Sequence, residues 1–172
     1  RASRLAKSVY ETEEVVHANV FNRAFDTDFT GGDGACMISA SHPTASGNQS
    51  NVLTVAADLS EAAIEDLSVQ IKNSLDSRGL HTKILPRSLI VPPALEPAAY
   101  RILKSVQQND TGNNAVNYIK ASGMFPEGIV CNPYLTDTDA WFIKTDMMDG
   151  LIHFTRMAAD YSMDNDFDTK NA

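Results

Sequence analysis

Four histidines, two cysteines and a surplus of carboxylates are the residues from which this chain could build a reaction centre. They are scattered. His17, His42, His81 and His153 never recur at the spacings that hold a metal, and neither Cys36 nor Cys131 stands beside one of them. Asp137-Thr138-Asp139 opens like a calcium loop, but Phe142 occupies the place that needs glycine. No metal and no cofactor is expected. Ser39, Ser41, His42 and Ser46 crowd one loop and raise the question of a serine nucleophile with a histidine base. No G-x-S-x-G or S-x-x-K frames them, and a triad is assembled in space, not in sequence. His42 before Pro43 reads as fixing a turn. Gly32-Asp33-Gly34 begins a phosphate loop, yet Met37 replaces the third glycine and no Gly-Lys-Ser/Thr occurs. A plain turn is expected there, and no catalytic residue anywhere.

Composition narrows the remaining classes. The chain has 172 residues, 43% hydrophobic and 21% charged, enough for one domain or two small lobes with a proper core. No apolar run approaches a membrane span. The net charge of -8 opposes a surface built to grip nucleic acid. The acid is concentrated late: from Asp137 onward eight aspartates face only Lys144, Arg156 and Lys170. Two isolated cysteines suggest buried thiols in a reducing compartment, not a disulfide framework.

These residues must be carried by elements that the patterning outlines. Leu5, Val9, Val16, Val20 and Ala24, with Ala6, Tyr10, Phe21 and Phe25 on an adjoining lane, predict a long helix over about 4–25. Glu11, Glu13, Glu14, Asn19 and Arg23 occupy its wet side. Residues 26–51 read as loop, with too little apolar content for a core of their own, so they must lie over something else. Ser60 is the expected N-cap of a second helix, with Leu59 stapled on Ile64. Ile64, Leu67, Ile71 and Leu75 form its stripe, and Gly79 is its expected stop, giving about 60–78. Residues 80–85 and 88–91 are short strand candidates. A helix from near Pro93 to Val106 follows, with Pro97 in its first turn. Residues 116–122 predict a helical turn or two. Residues 128–135 and 140–145 read as a hairpin about the polar turn 136–139, and 151–156 as one more strand.

The pattern of elements without a reaction centre has a family likeness. ETEEVVHANVFNRAFD, TGGDGACMISASHP, AADLSEAAIEDLSVQI, ILPRSLIVPPALEPAAYRILKS, GMFPEGIVCNPYLTDTDAWFIKTD and MDNDFDTKN resemble, in order, the middle of Mu-like tailed-phage major head subunits. The resemblance runs along nearly the whole chain; no single stretch is diagnostic, and the ordered set carries it. It implies an α+β fold of the Hong Kong 97 capsid type, with a peripheral domain crossed by a long spine helix and an axial domain of mixed sheet and helices. Residues 1–83 would be part of the peripheral domain, with the spine helix at about 4–25 and the second helix at about 60–78. Residues 84–156 would be the axial domain, and 157–172 would return to the peripheral domain. The family's N-terminal arm, extended loop and C-terminal stretch have no counterpart here, which suggests a piece of a longer product.

The implied function is structural: a subunit that self-assembles into hexamers and pentamers and closes an icosahedral shell around double-stranded DNA. A scaffold or maturation protease would be a further partner, packaged DNA would lie near without specific contact, and no membrane is involved. The virion would be its location, after synthesis in the bacterial cytoplasm, from a phage or a prophage. Glu11, Glu14 and Arg23 are the expected intersubunit contacts. An encapsulin-type nanocompartment shell shares the fold and is the first alternative. A small α/β hydrolase is the second, and would need an organised pocket near His42 or the Asp137–Asp139 turn. A plain binding module would need a preformed apolar cleft.

Overall fold

A computed structural model describes residues 2–108, 115–148, 150–158 and 160. The fold is α+β. Its centre is strand β3 (Pro86–Val91), flanked by β4 (Gly128–Cys131) and β5 (Phe142–Thr145) in the order β4-β3-β5. β4 runs parallel to β3 and β5 antiparallel. A central strand covered on both faces must be apolar throughout rather than alternating, and Leu89, Ile90 and Val91 are all buried. Pro86, which cannot donate to a ladder, stands at the strand's first residue, where the register with β5 also shifts.

The two faces of this sheet organise two cores. Leu89 and Val91 point to one side and pack with Ile64, Ala99, Ile102, Leu103, Ile119 and Met124. Ile90 points to the other and packs with Ala24, Leu135 and Phe142. The first core is closed by three helices: α2 (Glu61–Lys72), α3 (Glu96–Lys104) and the single turn α4 (Tyr118–Ala121). Of the helices the second receives only the end of the long helix α1 (Ala2–Asn22), with Met37 and Ile38 of the following segment packed beside it. Phe21 and Phe25 lie 5.2 and 6.0 Å from the Phe142 ring. The side chain of Asn22 donates to Tyr134 O at 3.1 Å and accepts from Thr136 N–H at 3.0 Å. Asn22 thus ties α1 to the segment between β4 and β5.

Residues 26–51 do lie over another element, but not as plain loop. They contain a short antiparallel hairpin, β1 (His42–Thr44) with β2 (Gly47–Gln49). It rests on the C-terminal side of α2: Gln49 donates to Asp76 O, and Gln70 of α2 donates to Ser50 O and Val52 O. Such polar lodging is what a segment poor in apolar residues can offer.

Several expected boundaries are corrected by local chemistry. The second helix begins as expected, with Ser60 Oγ accepting from Ala63 N–H at 3.1 Å. It ends at Lys72, not at 78. Asn73 caps it, and Ser74 and Asp76 prefer turn hydrogen bonds to helix. The Asp76 carboxylate takes the N–H groups of Arg78 and Leu80, which holds its pKa below the usual carboxylate range. Gly79, at φ 84°, serves that turn rather than the helix end. Residues 80–85 form no strand, only a bridge from His81 to Leu75. The third helix stops at Lys104 because Ser105 is extended and donates to Gln107 O, which leaves Val106 69% exposed. β4 and β5 are not a hairpin: residues 132–141 carry the chain past β3 from one edge to the other. Asn132 and Pro133 end β4 early. Residues 151–156 form no strand within this chain.

Two buried hydroxyls, Ser68 Oγ on α2 and Ser88 Oγ on β3, have no hydrogen-bond partner among the described residues. An unsatisfied buried hydroxyl gains nothing for the fold. Ser68→Ala and Ser88→Ala should therefore leave stability unchanged or raise it by up to about 1 kcal/mol. Urea unfolding followed by the single tryptophan, Trp141, would show it; a loss in either variant contradicts the assignment.

Candidate functional site

The loop that gathers serines and His42 can be read atom by atom. His42 Nδ1 donates to Asp33 Oδ2 at 2.6 Å, while its Nε2 is buried with no hydrogen-bond partner. No serine is thereby bonded to the imidazole. The hydroxyls serve turns instead: Ser39 Oγ accepts from Ser41 N–H, Ser41 Oγ accepts from Asn48, and Ser46 Oγ pairs with Thr44. The histidine and aspartate of a triad are present, and among the described residues no nucleophile joins them. Their role is to clip the glycine turn to the hairpin. That turn is closed by Gly31 N–H donating to Ala35 O, with Gly34 at φ 79°.

The clip sets an acid limit. The hydrogen bond from His42, and then that from Ala35 N–H, hold the Asp33 carboxyl below its ordinary pKa. Stabilisation from a depressed carboxylate is complete above its unfolded value of about 3.9 and is lost as pH falls through the lower folded value. The clip should therefore hold at pH 5 and open only below about pH 4. Amide resonances of Ala35 and His42 followed from pH 7 to 2 would report it; opening already near pH 5 contradicts it.

The other chemical candidates also resolve as structure. Asp137 Oδ1 accepts from Asp139 N–H at 2.9 Å, a local turn bond. Among the described residues no three His, Cys, Asp or Glu side chains converge as a metal site. Cys36 donates to Ile38 O. Burial, and then a hydrogen bond to Glu96, push the Cys131 thiol up and make it a poorer nucleophile. Two clefts among the described residues, of about 190 and 420 Å3, are lined by neither His42 nor the 137–139 turn.

Surface, not pocket, is what the chain offers. α1 should span about 30 Å, yet of its described residues only Ala18 is buried. Leu5, Tyr10, Val15, Val16 and Val20 are exposed, and Val16 is 59% accessible. The lane read from the sequence as an apolar face is real in spacing, but Leu5, Val16 and Val20 find no core within the described residues. The stretch 150–158 meets the helix at His153, which lies against His17 at 4.5 Å between ring centres. Met147, Met148, Leu151, Ile152, Phe154 and Met157 are all exposed, Met148 at 85% and Phe154 at 82%. Large apolar side chains left exposed in such number suit a place of association.

Glu11, Glu14 and Arg23 all lie on or just after this helix, and each has a partner in its own chain. Glu11 pairs with Lys7 at 3.4 Å. The Glu14 carboxylate beside the Tyr10 hydroxyl raises the tyrosine's pKa. Arg23 lies 4.3 Å over the Phe29 ring. Sequence reasoning missed residues 147–157 as a surface. The signal was there: MMDGLIHFTRM has apolar residues on both parities, without the alternation of a half-buried strand.

No described helix is long and apolar enough to cross a membrane. No curated protein and no solved structure matches the chain. A family model described as phage capsid protein matches residues 1–171, so the chain, whose long helix is largely uncovered within the described residues, belongs to a structural family, that of the phage capsid proteins.

Proposed function

We propose that the chain is a subunit of a tailed-phage head with the Hong Kong 97 type of capsid fold. It would assemble into hexamers and pentamers that close an icosahedral shell around double-stranded DNA. In this reading α1 is the spine helix, residues 1–83 belong to the peripheral domain, 84–156 to the axial domain, and 157–172 lead back. The carrying observation is the contrast between a sheet packed on both faces and a long helix whose apolar lane is uncovered. Subunits that repeat one heterologous contact close into rings, and many weak contacts together hold a shell. A scaffold or maturation protease fits the same assembly route, and the acidic balance suits a wall that packaged DNA does not stick to.

Glu11, Glu14 and Arg23 are proposed as contacts across subunits. Charge reversal at all three should leave the fold intact, since exposed pairs contribute at most about 1 kcal/mol each. The same change should lower the yield of assembled particles, because one lost contact is repeated in every subunit. Light scattering on size-exclusion fractions of the full-length protein tests both parts. A single low-mass species in the unaltered protein at every concentration would refute the assembly reading. Undiminished particles from the triple variant would remove only these three residues.

A further inference from the structure

We propose that the exposed lane of α1 around Glu13 docks in the cleft between α2, α4 and the start of β3 of a neighbouring copy, with the Glu13 carboxylate between Lys72 and Arg87. This rests on the capsid reading and names the two surfaces that its repeated contact joins. The cleft, of about 190 Å3, is lined by Leu85, Pro86, Met124 and Pro126 and by these two cations. Neither cation is held by a close carboxylate among the described residues. Lys72 Nζ lies 3.4 Å from the Tyr118 hydroxyl and 5.8 Å from the centre of its ring. Arg87 Nη2 is 3.7 Å from Asp146, beyond hydrogen-bond distance, and Asp146 spends its other oxygen on Leu85 N–H at 2.7 Å. Two loosely engaged cations over apolar surface ask for a carboxylate carried on an apolar face, where charge-assisted hydrogen bonds are the strong ones.

Helix α1 carries one. Glu13 lies four residues after Val9, three before Val16 and seven before Val20, which places all four on one face of the helix. Glu13 is exposed, as are Val16 and Val20. Its acidic neighbours are already engaged: Lys7 holds Glu11 at 3.4 Å, and Glu14 lies beside the Tyr10 hydroxyl. No cation pairs with Glu13 among the described residues. The fold keeps the two surfaces apart within one chain. The end of α1 packs on the Ile90 face of the sheet, whereas α2 and α4 pack on the Leu89 face. Glu13 therefore meets such a cleft on another copy, not on its own. Copies of net charge -8 repel one another except where acid meets base, so the same pairing selects which surfaces come together. A contact between two different patches is heterologous. Each copy that docks leaves its own cleft open to the next, as ring closure requires.

Two charge-reversed variants of the full-length protein test the docking: Glu13→Lys, and Lys72→Glu together with Arg87→Glu. Each sets like charges across the contact, which is far more unfavourable than the loss of one pair. The yield of assembled particles, read by light scattering on size-exclusion fractions, should fall about tenfold in each variant alone. An equimolar mixture of the two should recover most of it, because the α1 of each variant then meets a cleft of opposite charge on the other. A role confined to the fold of one chain is not repaired by mixing. Circular dichroism establishes that each variant is folded; should Arg87→Glu unfold the chain beside Asp146, Lys72→Glu alone takes its place in the same mixture. Undiminished particles from either folded variant alone overturn the docking, and so does a mixture of folded variants that recovers nothing. Both outcomes leave the capsid reading standing where the unaltered protein forms particles. An unaltered protein that stays monomeric at every concentration overturns the two together.

Discussion

Asn117→Ala is expected to destabilise the fold by about 3 kcal/mol, lowering the melting temperature by about 10 °C for a domain of this size. Asn117 is fully buried and every arm of its side chain is used. Its Nδ2 donates to Ile102 O at 2.6 Å and to Ser105 Oγ at 3.0 Å, and its Oδ1 accepts from Lys120 N–H at 3.2 Å. One residue thereby closes the end of α3 and caps the start of α4. Alanine leaves the Ile102 carbonyl without that donor in a dry place and removes the cap. Asn117→Asp separates these roles. Aspartate is as good a cap as asparagine, but it cannot donate to Ile102 and brings a charge into a fully buried site. It should be the worse of the two. If Asn117→Asp were tolerated, the donor role assigned here would be wrong.

Leu89→Ala should cost about 2–5 kcal/mol, as deletion of a large core side chain does. Leu89 is fully buried at the centre of the middle strand, between Ile129 of β4 and Ile143 of β5. It joins the sheet to all three helices of the larger core. Val130→Ala is the control: Val130 is 46% exposed on β4, an edge strand of this sheet, and its truncation should cost well under about 1 kcal/mol. Trp141 fluorescence in urea reads both, because Trp141 packs against this core. Equal costs at the two sites would contradict the placement of β3 at the centre.

The sequence made the helices legible where cap and stripe agreed. Ser60 and Ile64 announce α2, and Pro97 marks the first turn of α3. Helix ends were harder, because Asn73, Ser105 and Asn117 act through local hydrogen bonds that leave no periodic trace. The strands β3, β4 and β5 were legible as apolar runs, but their order was not. A run such as Leu89–Val91 states that both faces are covered, and it does not state which strand lies on which edge. The polar turn 136–139 therefore suggested a hairpin that the chain does not form. The His42–Asp33 clip was invisible because its members lie nine residues apart in a loop. The surface was the least legible feature. Apolar spacing in α1 is the same whether the face is covered within the chain or by a neighbour, so periodicity finds the lane and says nothing of what occupies it.

Electron microscopy of the concentrated, negatively stained full-length protein tests the assembly claim most directly. Uniform closed shells or capsomer rings are the predicted result. A strictly monomeric protein, with no rings even when produced alongside its neighbouring gene products, would contradict the account.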